Sequence, residues 1–337
     1  MVSLSKIRTS NALLPTILPP NPVAVFVGAT SGIGEATLKK FAQYTTGTDP
    51  RVYFIGRSVD AGGRIAEECR VLNPKGKYTF LQADVSLLRV VDEVCEEIKA
   101  VEEVVNLLFL TCGVASFDKS KTPEDIHLLA ALNYYSRIRF TSNLLPQLRK
   151  ARGLRRVVTV GGGSQEGALD TTDFPALKQP VEQIRGHLTS LVSLGFEGLA
   201  RGAPEVSFVH DYPGTVRTKL VISHLPEDML RNLTFLPIDE CGERQLYMAT
   251  SAKFPPKEEA DVAGVGAGVP LQDGEEVVLG VSGARGSGMY SVGVDCESAP
   301  SAVLELLAEM RQRGLVDAVW EHTQSEFERV AALASSI

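Results

Sequence analysis

Three glycines, Gly28, Gly32 and Gly34, stand in the stretch VAVFVGATSGIGEA, directly after an apolar run and before a run of helical spacing. Set as GxxxGxG, they suit a phosphate cradle. The first permits a tight turn, the second lets backbone N–H groups approach a pyrophosphate, and the third allows a helix to sit close to a sheet. A glycine pattern alone is weak evidence, but the strand before and the helix after supply the context that the chemistry needs. Arg57 follows a second strand-like run in FIGRS, where an acidic residue would grip a free ribose hydroxyl. A guanidinium at that place suits a 2′-phosphate, which favours NADP(H) over NAD(H). Asp84, after a third run in LQADVS, can pair with an adenine amino group. Thr111 and Gly113, in FLTCGV, end a fourth run where the chain must pass close to a dinucleotide.

These residues need a sheet to hold them. Strand-like runs occur at 23–28, 51–56, 77–83, 104–111, 155–161 and 204–212, short and rich in β-branched or aromatic residues. Helical spacing fills 33–44, 60–72, 86–101, 122–150 and 179–202. Such alternation predicts an α/β fold, a Rossmann-like doubly wound parallel sheet with helices on both faces. Residues 214–240 are loop-rich, with Pro226 and Pro237, and read as a lid over a pocket. A helix is expected over 241–252, an irregular excursion over 255–290 ending in a candidate strand GMYSVGV, and helices near 300–313 and 315–333. No linker divides the chain, so residues 23–337 read as one domain with a C-terminal extension over 255–337. Residues 1–22, interrupted by Pro15, Pro19 and Pro20, read as an extended arm laid on the surface rather than a signal peptide or a membrane span.

The chain has 337 residues, a formal charge of −7 and no long basic run, which argues against a nucleic-acid partner. The cluster Arg149, Lys150, Arg152, Arg155 and Arg156 suits a solvated helix end, where cations favour the helix dipole. Five dispersed cysteines without a CxxC pair fit a reduced, cytoplasmic protein, and five dispersed histidines without HExxH spacing predict no metal.

From about residue 22 to 252 the chain resembles the short-chain dehydrogenase/reductase family. GATSGIG is similar to the family's cofactor loop, which brings Thr30, Ser31 and Ile33 beside the glycines; ADV is similar to its adenine pocket, and TCG to its NAG motif. NYYSRIRFTSNLLPQL resembles its fourth helix, with Asn133 at the catalytic asparagine. YPGTVRT resembles the PG motif whose loop lines the nicotinamide, implicating Pro213, Gly214, Thr215 and Thr218. The resemblance implies a Rossmann fold, a homo-oligomer built through the fourth and fifth helices, and a likeness to divergent members from fungal natural-product pathways.

The family's chemistry uses a tyrosine four residues before a lysine on the fifth helix, and a serine after the fifth strand. The lysine lowers the tyrosine pKa from about 10 toward neutrality. Here no YxxxK exists between 140 and 215. The serine position falls on Gly161 or Gly162 in RVVTVGGGSQEG, with Ser164 the nearest hydroxyl, and counting back from Pro213 lands on Gln183 and His187. Stand-ins for the acid are His187, since a histidine can act as acid or base, and Tyr212, at the C-terminal end of the sixth strand where such sheets bind ligands. His210 and Asp211 share that strand end on opposite faces, Gln165 and Glu166 could line the pocket, and Tyr134 and Tyr135 suit a core or an interface. The glycine triplet 161–163 either serves a turn of positive φ or clears a pocket floor for a bulky substrate. Three functions fit: an NADP(H)-dependent oxidoreductase of a bulky carbonyl or alcohol in secondary metabolism, a redox-neutral isomerase or cyclase, and a non-catalytic NADP(H)-binding protein.

Overall fold

The computed structural model describes residues 1–114, 118–223, 227–258 and 267–334. Parts of the expected lid (224–226) and of the 255–290 excursion (259–266) lie outside the described residues. Two N-terminal helices, α1 (Leu4–Ala12) and α2 (Leu14–Ile17), precede the first strand. Then β1 (Val23–Val27), α3 (Gly32–Tyr44), β2 (Arg51–Gly56), α4 (Val59–Leu72), β3 (Lys77–Gln82), α5 (Leu88–Lys99) and β4 (Leu107–Leu110) alternate. A short α6 (Leu128–Ala130) runs through a π-helical turn (Ala131–Tyr135) into α7 (Ser136–Lys150), followed by β5 (Arg156–Val160), α8 (Val181–Gly202) and β6 (Ser207–Asp211). The remainder is α9 (Lys219–Ile222), α10 (Glu227–Asn232), α11 (Ile238–Thr250), β7 (Met289–Val292), α12 (Ser301–Gln312) and α13 (Leu315–Ala334).

The seven strands form one parallel sheet in the order β3-β2-β1-β4-β5-β6-β7. Strands β1, β4, β5, β6 and the edge strand β7 are buried along their whole length, whereas the opposite edge strand β3 exposes Lys77, Thr79 and Gln82. Alternation along β1 divides the core. Val23, Val25 and Val27 join Val91, Leu144, Leu191 and Leu194 on one face. Ala24 and Phe26 join Leu38, Phe41, Leu246 and Tyr247 on the other.

The chain leaves β1 toward β2 and leaves β4 toward β5, so a crevice opens beyond the C-terminal ends of β1 and β4. The two loops nearly touch there. Gly28 has φ +82°, and a Cβ on it would lie 2.5 Å from the Cys112 amide nitrogen.

The N-terminal arm is not extended. Ser3 caps α1 by accepting from the Lys6 amide, and Pro15 sits in the first turn of α2, where its missing N–H costs nothing. Helix α1 packs on α11, with Asn11 Nδ2 donating to the Glu243 carbonyl (3.0 Å) and carboxylate (2.8 Å). Helical structure expected from 122 starts at Leu128, and the expected lid carries α9 and α10.

Candidate functional site

The N-terminus of α3 has no side-chain cap, which leaves its first amides free to receive an anion. It opens onto a cleft of about 640 Å³ at the crevice between β1 and β4. The cleft collects Gly28, Thr30, Ser31, Gly32, Ile33 and Gly34 from the first loop, Arg57 and Asp84 from the ends of β2 and β3, and Thr111 and Gly113 after β4. Pro213, Gly214 and Thr218 close it from the loop after β6. Of the expected cofactor residues only Thr215 lies outside, and its carbonyl accepts from the Leu236 amide.

Local chemistry fixes several of these. Thr111 Oγ1 donates to the carbonyls of Val27 (2.9 Å) and Gly28 (3.1 Å), pinning the β1 and β4 loops together. A Cβ on Gly34 would lie 2.5 Å from that hydroxyl, so only glycine lets α3 approach. Arg57 is exposed and makes no ion pair among the described residues, which leaves its guanidinium available. Asp84 keeps one carboxylate oxygen on the Ser86 amide (3.1 Å) at the end of β3.

Asn133 and Tyr212 line the same cleft; His187 and Ser164 do not. His187 is buried, with Nδ1 accepting from the Asp170 amide (3.2 Å) and Nε2 donating to the Phe174 carbonyl (2.9 Å), so its ring braces the loop ahead of α8. Ser164 is buried at φ +63°, its amide donating to Ser291 Oγ (2.6 Å), and its role is that of a turn residue. Both residues are turned away from the cleft, Ser164 by its left-handed turn and His187 by its bonds to the loop ahead of α8. Asn133 sits within the π-helical turn, and its Nδ2 donates to the Leu129 carbonyl (2.9 Å). Tyr212 is the one tyrosine in the lining, and the Arg185 guanidinium lies over its ring at 5.1 Å. Tyr134 and Tyr135 are core residues bonded to α13 through Thr323 Oγ1 (2.5 Å) and His322 Nε2 (2.6 Å).

The glycine triplet has no positive φ. A Cβ on Gly162 would meet Thr189 Oγ1 at 2.2 Å, and one on Gly163 the His210 carbonyl oxygen at 2.1 Å. Gly161 is different: it is exposed to the cleft, and a Cβ there would have ordinary contacts at 3.4 Å and 3.6 Å. Packing demands the second and third glycines but not the first.

A buried polar cluster underlies this floor. His210 Nε2 accepts from the Gly162 amide (3.2 Å), and Nδ1 bonds Ser193 Oγ (2.9 Å). Ser193 and Ser291 both donate to Glu166 Oε1 at 2.6 Å. Burial raises the Glu166 pKa, lowers that of His210 to about 3 with help from Arg137, and raises that of Asp211 to about 7. Asp211, on the other face of β6, accepts from Gln245 Nε2 (2.5 Å). Glu166 thus supports the floor from beneath rather than lining the cleft.

Arg137 was not among the residues singled out from the sequence. It lies one helical turn after Asn133, is 3% exposed, and lines the cleft. Nη1 donates to Thr159 Oγ1 (2.7 Å) and the Val160 carbonyl (2.6 Å), Nη2 to the Cys112 carbonyl (2.5 Å), and Nε to the Leu132 carbonyl (3.2 Å). An arginine on an otherwise apolar helix face was the available signal. On the lid side, Lys219, Leu220 and Val221 of α9 complete the cleft.

The model of the short chain dehydrogenase family matches residues 22–191. The protein named Oxidoreductase AN1596 from Emericella nidulans is 39% identical over 96% of this chain and 98% of its own length. Oxidoreductase andH from Emericella variicolor is 35% identical over 99% of each. L-sorbose reductase from Gluconobacter frateurii, solved with NADPH and L-sorbose, shares the fold at a TM-score of 0.53 and 17% identity, over 69% of this chain and 91% of that one. With the cofactor-loop spacing, the β1–β4 crevice and full-length relatives agreeing, the chain belongs to the short-chain dehydrogenase/reductase family.

Proposed function

We propose that the chain is an NADP(H)-dependent oxidoreductase acting on the carbonyl or alcohol of a bulky small molecule in fungal secondary metabolism. One observation carries the reading: a single cleft combines the uncapped start of α3, Arg57, Asp84, the Thr111–Gly113 turn and Tyr212. The donor set suits a dinucleotide phosphate. Uncapped amides would face the diphosphate, Arg57 a 2′-phosphate and Asp84 the adenine, while the 213–218 loop would close over the nicotinamide. When bound, NADP(H) would supply or accept hydride at its nicotinamide. The family and the solved relative with NADPH favour that assignment.

The chain's own residues orient and protonate. Tyr212 lines the cleft, where its phenol would meet a substrate oxygen, and Asn133 holds the π-helical turn beside Gly113. The bare floor at Gly161 and the apolar lining at Ile33, Val114, Val216, Leu220 and Val221 favour a large apolar substrate. Five buried free thiols suit a reducing compartment such as the cytoplasm. A redox-neutral isomerase or cyclase draws support from Tyr212 having no lysine partner of the YxxxK kind.

Titration with NADPH, followed by its fluorescence, tests the cofactor assignment. Binding is expected in the wild type, and Gly32→Asp should weaken it by at least about tenfold, because a carboxylate would meet the diphosphate at the α3 N-terminus. Equal NADPH affinity in the variant would remove the site from this cleft. Oxidation of NADPH with a polycyclic ketone separates reductase from isomerase, which would return an isomer with no net NADPH loss.

A further inference from the structure

We propose that Arg137 is the binding residue for a negatively charged oxygen of the substrate, seated in the open space above Gly161. The inference rests on the reading of this cleft as a substrate site. It holds for any reaction in which that oxygen carries or gains negative charge.

The guanidinium is buried, and its four hydrogen bonds go to neutral acceptors: three backbone carbonyls and a threonine hydroxyl. Neutral acceptors satisfy the N–H groups without cancelling the cation, and a buried cation is costly unless an anion answers it. No carboxylate among the described residues lies within ion-pair distance of Arg137. Asp211, the one carboxyl group whose charge acts on it, is itself driven toward its neutral form by burial. Positive charge is therefore held, unanswered, at the wall of a cleft open to solvent on its other side.

A Cβ at Gly161 would come 3.6 Å from Arg137 Nη1, whose two N–H groups are already used, and one at Gly113 would come 3.7 Å from Nη2, which keeps one N–H free, so a ligand oxygen at this wall would meet the guanidinium's charge and its remaining N–H. Neither φ nor packing requires glycine at 161, unlike its two neighbours. The floor is bare at the one place where a small group could sit beside the buried cation. Among the residues lining the cleft, Arg57 belongs to the far end of β2 and Lys219 to the lid, which leaves Arg137 as the cation at the floor.

A phenol reports such a site directly, because a buried cation stabilises the phenolate and shifts the absorbance band of the bound probe. With 4-nitrophenol added to the protein, with and without NADP⁺, at the probe's own midpoint pH, the bound fraction is expected in the phenolate form. Arg137→Met should weaken phenolate binding by at least about tenfold, the scale of a charge-assisted hydrogen bond, and Arg137→Lys should restore part of it. Gly161→Val should block the probe while leaving Arg137 in place, which covers the case in which Arg137→Met does not fold. Parallel NADPH titration keeps the two readings apart: loss of NADPH binding in the wild type sinks the cofactor assignment and leaves the phenolate result standing. No phenolate band in the wild type, or equal binding in Arg137→Met or in Gly161→Val, overturns the proposal.

Discussion

Tyr212 and the buried pair beside it carry different kinds of chemistry from neighbouring positions on one strand. If Tyr212 delivers the proton to the substrate oxygen, Tyr212→Phe should lower kcat by about 10²–10⁴-fold while leaving NADPH affinity unchanged, as read by NADPH oxidation and fluorescence titration. An unaltered kcat would assign the proton to water or to another group. His210 and Asp211 instead set a pH dependence of stability. Asp211, pushed up to about 7, keeps its proton in the folded state where the unfolded chain has released it. The folded state then binds more protons between about pH 4 and 7, so this group's contribution falls as pH rises through that window. His210, pushed down to about 3, stays neutral when folded while the unfolded chain gains a proton below about 6.5, so its contribution falls as pH drops. Asp211→Asn should therefore raise the melting temperature at pH 8 by a few degrees relative to wild type, with little gain at pH 5. Equal shifts at both pH values would mean that Asp211 is ionised throughout. Tyr212 was legible from its motif. Arg137 was not, because an arginine on a helix reads as a solvated cation until the strands it reaches are known.

The turn after β5 illustrates how far an element can be read from its letters. RVVTVGGGSQEG announces a strand ending in a turn, yet it cannot say which glycine is required, since that depends on Thr189 of α8 and on the His210 backbone of β6. The structure predicts unequal costs. Gly163→Ala would press a methyl group onto a backbone carbonyl that cannot move aside, at about 1–3 kcal/mol, lowering the melting temperature by several degrees. Gly162→Ala meets the movable end of a side chain and should cost less, and Gly161→Ala should leave stability near wild type. A thermal-melt series of the three variants checks the order, and a Gly161→Ala loss as large as that of Gly163→Ala would contradict it. The strand–helix alternation itself was plain in the sequence, because strands covered on both faces must be apolar without interruption. The N-terminal helices were not, because Pro15, Pro19 and Pro20 suggest extended chain, and what makes α1 a helix is partly its packing on α11. The π-helical turn was equally hidden, as no residue type marks an extra residue inserted into a helical run.

The C-terminal segment changes how the molecule presents its outer face. Family resemblance implies a homo-oligomer assembled through the helices that here are α7 and α8. In this chain α13 lies along α8 and α5, burying Val316, Val319, Phe327 and Val330. Burial of four such side chains is worth roughly 6–12 kcal/mol before the entropy of ordering the helix is subtracted. Polar contacts fix the register: Arg201 pairs with Asp317 (2.9 Å), Arg329 Nη1 donates to the Glu124 carbonyl (3.0 Å), and Arg139 lies over the Phe327 ring at 4.9 Å. Trp320 lies against Gly198, whose Cβ position is 3.4 Å from the indole, so the ridge of α13 is seated into α8. A helix of the same chain therefore holds the surface that a partner's helices would need, and with it the Tyr134 and Tyr135 hydroxyls that anchor the π-helical turn. The expected state in solution is a monomer, read by light scattering on a sizing column. Val319→Glu would place a carboxylate at a fully buried position of this seam. It should free α13, lower the melting temperature by roughly 10 °C or more and expose the apolar face of α8, so that the variant self-associates as its concentration rises. A wild-type dimer that survives Val319→Glu unchanged would mean that subunits meet elsewhere and that α13 is only a cover.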